Sequence, residues 1–312
     1  MAFLDCQDGR RPVVMPERTS RHPCFSATAC LQYARMHLPV APRCNIACNY
    51  CNRKYDCAHE SRPGVTSGVL SPAGALERFL LLRGRLENLS VVGIAGPGDA
   101  LANWESTRQT IELIKMHAPE LIFCLSTNGL LLPDYAASLT GLGVDHVTVT
   151  VNCLDPAIGE KIYRYVHYRG KRYTGREGAA LLIANQLAGI AELSGRGVVV
   201  KVNIVLIKGI NEGHIPEVVR KMRDLGAYIS NIMPMIPARG SAFAALPGPD
   251  PQELKRLRDA CRADLPQMYH CRQCRADAVG RLDEDRLAEL PITGRPVALA
   301  GYAAKSGSAG CR

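Results

Sequence analysis

Residues 38–51, Leu-Pro-Val-Ala-Pro-Arg-Cys-Asn-Ile-Ala-Cys-Asn-Tyr-Cys, set a short apolar run, Leu38–Ala41, directly before a cysteine loop. Cys44, Cys48 and Cys51 form a CxxxCxxC pattern on that loop. Three thiolates so spaced can each reach a different iron of a [4Fe–4S] cube, which leaves the fourth iron without a ligand from the motif and open to a small molecule. A zinc or purely structural thiolate site is the alternative, although zinc modules usually pair one CxxC with a second in the same small unit.

Outward from this loop the chain alternates short apolar runs with longer helical patterns, the mark of βα units around a parallel sheet. The strand candidates are Leu38–Ala41, Leu89–Ala95, Leu121–Ser126, His146–Asn152, Val198–Ile207 and Tyr228–Met233. Helical patterns include Pro72–Leu86, with Ser71 as N-cap and Pro72 in the first turn, and Pro251–Asp264. Six such units predict an α/β fold, a partial or complete (β/α) TIM-like barrel whose site lies at the C-terminal ends of its strands; a doubly wound open sheet is the other solution. Side-chain alternation puts Thr148, Thr150 and Asn152 on one face of their strand, Lys201 and Asn203 on one face of theirs, and Cys124 with Ser126 and Asn128. These polar faces are expected to line the barrel lumen. Boundaries fall at 1–37, an N-terminal extension; 38–265, the barrel; 266–294, a C-terminal segment with a second CxxC; and 295–312, a Gly/Ala/Ser tail expected to be mobile.

Composition narrows the class. The 312 residues are 47% apolar, enough for a substantial core, which excludes a disordered or fibrous chain. A net charge of +9 is scattered in short groups such as Arg10-Arg11, so nucleic acid is not the expected partner. No run nears the roughly 18 apolar residues of a membrane span, and Met1 to Arg21 lacks the apolar core of a signal peptide, so a cytoplasmic protein without membrane attachment is expected. Thirteen cysteines, an odd number, suit metal chemistry better than a closed disulfide framework.

The CxxxCxxC spacing, the aromatic Tyr50 before its last cysteine and its place after the first strand resemble the radical S-adenosylmethionine (SAM) superfamily. The resemblance implies that the open iron chelates the amino and carboxylate groups of SAM. One electron from the cluster would then break the sulfonium C–S bond to give a 5′-deoxyadenosyl radical, with Tyr50 approaching the adenine. Superfamily members place a Gly-rich turn after the second strand to meet the SAM amino group; here it reads Gly96-Pro97-Gly98-Asp99, a departure from the commoner GGE. Gly96, Gly98 and Asp99, with Ser126, Asn128, Asn152 and Asn203, are thus the candidate SAM contacts.

Longer blocks resemble the NifB family of nitrogenase cofactor maturases over about residues 18 to 290. They are His22-Pro23-Cys24-Phe25-Ser26, residues 37–42 leading into the loop from Cys44 to Cys57, Glu60-Ser61-Arg62-Pro63-Gly64-Val65, residues 168–173, and Cys271-Arg272-Gln273-Cys274-Arg275-Ala276-Asp277-Ala278. The resemblance implies an enzyme that fuses two further [4Fe–4S] clusters, inserting a SAM-derived carbide and an extra sulfur to give an eight-iron precursor. His22, Cys24, Cys57, Cys124, Cys271 and Cys274 are then candidate ligands of those clusters, with His37 a weaker one and Cys30 outside the set. Each has a plainer reading: His22, Cys24, Cys271 and Cys274 as a Cys₃His zinc site, Cys57 as a fourth ligand closing the first cluster, Cys124 as a small core residue. Glu60 and Arg62 are candidates for proton handling and anion contact, against ordinary salt bridging. The basic block Tyr168–Tyr173 is either an anion-holding element or a solvated loop. Implied partners are SAM, iron–sulfur cluster donors, nitrogenase cofactor scaffold or carrier proteins, and an electron donor such as ferredoxin or flavodoxin. Many family members continue into a carrier-like C-terminal domain, so a stand-alone form is expected here. Competing readings are a radical SAM enzyme that modifies a peptide or small molecule, and a non-catalytic iron–sulfur scaffold.

Overall fold

The computed structural model describes residues 17–58 and 68–286. Glu60, Arg62 and the expected tail lie outside the described residues. The strands are β1 Ala34–His37, β2 Ile46–Cys48, β3 Leu89–Ile94, β4 Ile122–Thr127, β5 His146–Thr150, β6 Tyr163–Tyr168, β7 Lys171–Tyr173, β8 Val199–Leu206, β9 Ile229–Pro234 and β10 Val279–Gly280. The α-helices are α1 Pro72–Arg83, α2 Trp104–His117, α3 Leu132–Leu142, α4 Pro156–Ile162, α5 Gly175–Gly195, α6 Ile215–Asp224 and α7 Pro251–Cys261.

Seven strands form one sheet in the order β10-β1-β3-β4-β5-β8-β9, parallel except for β10, which runs antiparallel to β1. No described pairing joins β9 to β10, so the barrel is a partial one. Helices begin where the sequence supplies caps. Ser71 Oγ accepts from the Gly74 amide at 3.1 Å at the head of α1, and Asp250 with Glu253 forms a capping box on α7. One face of the sheet packs on the helices through Val147, Val149, Val151, Val200, Val202 and Ile204, all buried in the main core.

The opposite face carries the polar residues that alternation predicts. Along it, register aligns His37, Gly93, Cys124, His146 and Val199 in one row. Ser126, Thr148, Lys201 and Ile229 form the next, and Thr150, Asn203 and Asn231 the one above.

Three features differ from the sequence expectation. The first strand is Ala34–His37 and not Leu38–Ala41, because Pro39 and Pro42 have no amide to donate; the run after His37 keeps only the Leu38 amide to the Gly93 carbonyl and a single bridge from Ala41 to Pro97. The basic block is a hairpin and not a loop: β6 and β7 are joined through Arg169 and Gly170, both at positive φ. That hairpin continues into β2, so the cysteine loop lies on a separate three-stranded sheet, β2-β6-β7. Finally, the C-terminal segment runs as a strap between the two edges of the sheet. Gln267 bridges Ser230 on β9, and β10 pairs with β1.

Candidate functional site

Cys44, Cys48 and Cys51 line one pocket with Ile46, Arg53, Cys57, Gly98, Asp99 and Asn128. Antiparallel pairing of β2 with β6 and a bond from the His167 amide to the Asn45 carbonyl at 2.7 Å fix the loop. Burial pushes the Cys44 thiol up to about 11 and Cys48 well above the ordinary thiol range, with Arg53 opposing both shifts. Such thiols stay protonated until a metal displaces the protons, which is the behaviour of a metal-binding set. Arg53 is anchored by the Pro97 carbonyl at 3.0 Å and the Pro42 carbonyl at 2.6 Å, a half-buried cation on the same pocket wall as the thiols. Its guanidinium would offset the charge of three thiolates. The donor set fits a [4Fe–4S] cluster: three sulfurs, a compensating cation, and the side-chain amide nitrogen of Asn45 buried without a hydrogen-bond partner.

The turn after β3 wraps closely around the loop. Gly98 donates to Ala41 O at 2.6 Å and Asp99 to Arg43 O at 2.8 Å, and a Cβ on Gly98 would collide with the Arg43 carbonyl. Gly96 sits at φ 127°, a backbone conformation that favours glycine. The Asp99 carboxylate faces the pocket wall but is held by the protein: it accepts from the Leu101, Ala102 and Asn128 amides and from Thr127 Oγ1, all at 3.0 Å or less. Asn128 donates to Asn45 Oδ1 at 2.6 Å and reaches Cys44 Sγ at 3.8 Å.

Tyr50 is fully buried and packs in one cluster with Ile46, Cys48, Ile162 and Tyr163, and Asn152 Nδ2 donates to its hydroxyl at 2.9 Å. Asn152 also accepts from the Val205 amide at 2.9 Å, so this pair braces the loop against β8. Ser126 is half-buried on the inner face, and Asn203 accepts from Asn231 at 3.2 Å one row higher.

A second group gathers inside the half-barrel. The N-terminal segment enters through its floor, held by the Thr19 hydroxyl to His146 Nε2 at 2.9 Å, an Arg18–Asp145 ion pair and Ser90 Oγ to the Arg21 carbonyl at 2.7 Å. Cys24, Cys271 and Cys274 pack around one apolar cluster with Phe25, Cys30 and Met268. Cys271 also packs against the cluster that contains Cys44, Cys48 and Cys51, so the two groups adjoin. Arg35, buried in β1, spans the Gly280 and Arg281 carbonyls and reaches Cys274 Sγ at 3.5 Å. Cys124 and His37 both lie over Gly93: a Cβ there would stand 2.9 Å from the cysteine sulfur and 3.1 Å from the imidazole, so only glycine leaves them room.

Burial depresses His37 to about 4 and His146 to about 3, and holds His22 well below the ordinary imidazole value, while Cys24 is pushed up to about 11 against the pull of Lys201. Neutral imidazoles and displaceable thiols are metal ligands in waiting. Among the described residues, no three His, Cys, Asp or Glu side chains converge on a single metal-ion position. Cys57 lines the first pocket, its amide bound to the Pro97 carbonyl at 2.9 Å. Cys30 borders the chamber with its sulfur turned to the Ala27 carbonyl. Sequence reasoning missed Arg53, Arg35 and His146 as site residues and gave Lys201 no role beyond the lumen; the signal was a charged or imidazole side chain within or beside an otherwise apolar run.

The radical SAM superfamily model matches residues 38–222. The chain is 52% identical over 278 residues to the FeMo cofactor biosynthesis protein NifB of Frankia alni, covering 86% of this chain and 54% of that protein. It is 52% identical to NifB of Bradyrhizobium diazoefficiens over 90% of this chain and 57% of the relative, and 48% identical to NifB of Klebsiella pneumoniae over 96% and 65%. The chain therefore spans little more than half the length of the first two relatives. Among solved structures, the fold resembles Streptococcus suis SuiB bound to S-adenosylmethionine, with TM-score 0.55 and 13% identity over 75% of this chain and 50% of that one. It also resembles anSMEcpe with bound AdoMet, with TM-score 0.52 and 14% identity over 76% and 64%. No helix among the described residues is long and apolar enough to cross a membrane.

Proposed function

The chain belongs to the radical SAM superfamily, and on that premise we propose that it is a radical SAM enzyme of FeMo cofactor biosynthesis that fuses two [4Fe–4S] clusters around a carbon taken from SAM. The observation that supports this reading is the packing of Cys24, Cys271 and Cys274 around one apolar cluster, with Cys271 also packed against the cluster that includes Cys48, while Cys124 and His37 lie together over Gly93. The NifB relatives, similar over most of this chain, support the same pathway.

Cys44, Cys48 and Cys51 would hold the resident cluster, with Arg53 balancing its thiolates. Once reduced, that cluster supplies the electron that cleaves SAM. The turn of Gly96 to Asp99 would shape the seat for the SAM amino acid group, and Asn128 the wall opposite. The chamber would hold the two substrate clusters through few protein bonds, some from histidine, which exchanges more readily than thiolate; units that must fuse and leave are better held so. One SAM would give a methyl group and a second the radical that abstracts one hydrogen from it; loss of the remaining hydrogens would then leave a carbide, with an extra sulfur supplied from outside. Glu60 and Arg62 remain candidates for proton handling near the loop. An acidic one-electron donor such as ferredoxin or flavodoxin, cluster donors and a cofactor carrier complete the proposed partners, in the cytoplasm. The exposed Arg164, Arg169, Lys171 and Arg172 on the β6–β7 hairpin supply a basic face for an acidic protein.

Iron and acid-labile sulfide per chain after anaerobic reconstitution test the reading, since three clusters hold about 12 irons and a lone resident cluster about 4. Twelve irons with 5′-deoxyadenosine formed under reducing conditions are expected, and four irons would remove cofactor building. Cys24→Ala and Cys271→Ala should each lower the chamber's iron and leave the resident cluster in place.

A further inference from the structure

Lys201 is 6% exposed, on the inner face of β8 in register with Thr148 and Ile229. Among the described residues its ammonium has no carboxylate within ion-pair distance and no hydrogen-bond acceptor; its one close neighbour is the ring of Phe25, 5.1 Å from Nζ to the centroid. A buried cation left this way is destabilising by several kcal/mol, far more than one cation–π contact returns.

Its surroundings lack partners in the same manner. His22 Nδ1 accepts from the Cys24 amide at 3.2 Å, while His22 Nε2 is buried with nothing to bond. His146 Nδ1 and Asn231 Oδ1 are also buried without a partner. The rings of His22, Phe25 and His146 meet edge-on or tilted with centroids within 4.8 Å of one another, so the two imidazole orphans stand beside the Phe25 ring that Lys201 faces. Buried polar groups are nearly always bonded, and several orphans facing one space mark a place built for something else. The chamber's other charged wall, Arg35, is tethered to the Gly280 and Arg281 carbonyls and so contributes a fixed field. Arg35 also pairs with the Asp285 carboxylate at 3.8 Å, which leaves Lys201 as the cation without a carboxylate partner; beside four thiols, that cation suits an anionic, sulfur-rich ligand.

We propose that Lys201 is the positioning cation of the chamber, donating N–H···S hydrogen bonds to the sulfides of an anionic iron–sulfur unit and so holding it where thiolates are too few to do so. The inference rests on the functional reading above and deepens it. Lys201 acts on the cluster substrates and leaves the resident cluster and SAM untouched.

The test uses the full chain as wild type, Lys201→Met and Lys201→Arg, reconstituted anaerobically and desalted. Two readouts are taken: iron per chain, and thermal melting before and after reconstitution. Lys201→Met should lose half or more of the iron beyond the resident four and keep those four. In the metal-free state it should melt a few degrees higher than wild type, because an uncompensated charge is gone, and after reconstitution the order should reverse. Lys201→Arg, which keeps the charge, should recover most of the iron. Full iron in Lys201→Met, a lower metal-free melting temperature in that variant, or equal iron loss in Lys201→Arg would each overturn the proposal. A wild-type chain that held only four irons would instead sink the functional reading and this inference with it, whereas twelve irons in both wild type and Lys201→Met would sink the inference alone.

Discussion

Cys57 shares the pocket of Cys44, Cys48 and Cys51, and its chemistry divides two outcomes. A fourth thiolate on the resident cluster would close the open iron and abolish SAM cleavage; a thiolate reserved for a substrate cluster would leave cleavage intact. Cys57→Ala is expected to keep about four irons and wild-type deoxyadenosine formation while losing iron from the substrate clusters. Loss of the resident cluster in that variant would reverse the assignment. His146 offers a second test, on stability. Burial, against a single hydroxyl partner, lowers it to about 3 in the folded chain, so the unfolded chain binds the proton first as pH falls. The stability contributed by neutral His146 is therefore complete above about pH 6.5 and is lost progressively as pH falls toward 3, by an amount on the order of a few kcal/mol. Urea denaturation of the metal-free chain at pH 7.5 and pH 5 should show this loss, and His146→Gln, which can still bond Thr19, should show a smaller one. An equal loss in both would exclude His146 as the source. The cysteines proposed to hold the resident cluster were legible because their spacing is local. Arg35, Arg53 and His146 were not, since what makes them site residues is a set of partners that includes Gly280, Pro97 and Thr19, brought close only by folding.

At the scale of the element, the turn after β3 and the loop after β1 form one interlocked unit, with Gly98 where no side chain fits. Gly98→Ala is expected to destabilise the chain by about 1–3 kcal/mol through overpacking and to prevent retention of the resident cluster. Gly84→Ala, at the end of α1 with φ −77° and nothing within 4 Å of its added Cβ, should be neutral or stabilising by up to roughly 1 kcal/mol. Denaturation midpoints and iron content separate the two, and equal behaviour would remove the steric argument. Strands β3, β4, β5, β8 and β9 were legible to within a residue or two because β-branched residues line their helix-facing side. The first strand was misplaced since Ala34-Arg35-Met36-His37 has no β-branched residue and turns Arg35 and His37 inward. The hairpin of β6 and β7 escaped because its tyrosines and arginines cover one another, Arg172 lying 4.5 Å from the Tyr165 centroid, so it follows no simple inside–outside alternation.

The whole molecule is a half-barrel closed by its own C-terminal strap. Through Cys271 and Cys274 that strap would be tied to Cys24, from the opposite end of the chain, by the substrate clusters. Hydrogen exchange over residues 267–280 is accordingly expected to slow on cluster loading by tenfold or more, while α1 and α2 change little; unchanged exchange in the strap would show that it closes without the clusters. Polar inner faces and the general architecture could be read in advance, whereas the closure could not, because it depends on one bridge at Gln267 and two residues of β10.

The strap is also the last part of the described chain to leave the ribosome, while His22 and Cys24 are among the first. Until residues 267–280 have emerged, the sheet is complete from β1 to β9 but open along one flank, and its cationic interior stands without a wall. Synthesis itself thus sets an order of events: the resident-cluster loop can fold and fill early, and the chamber becomes a container only near the end of translation.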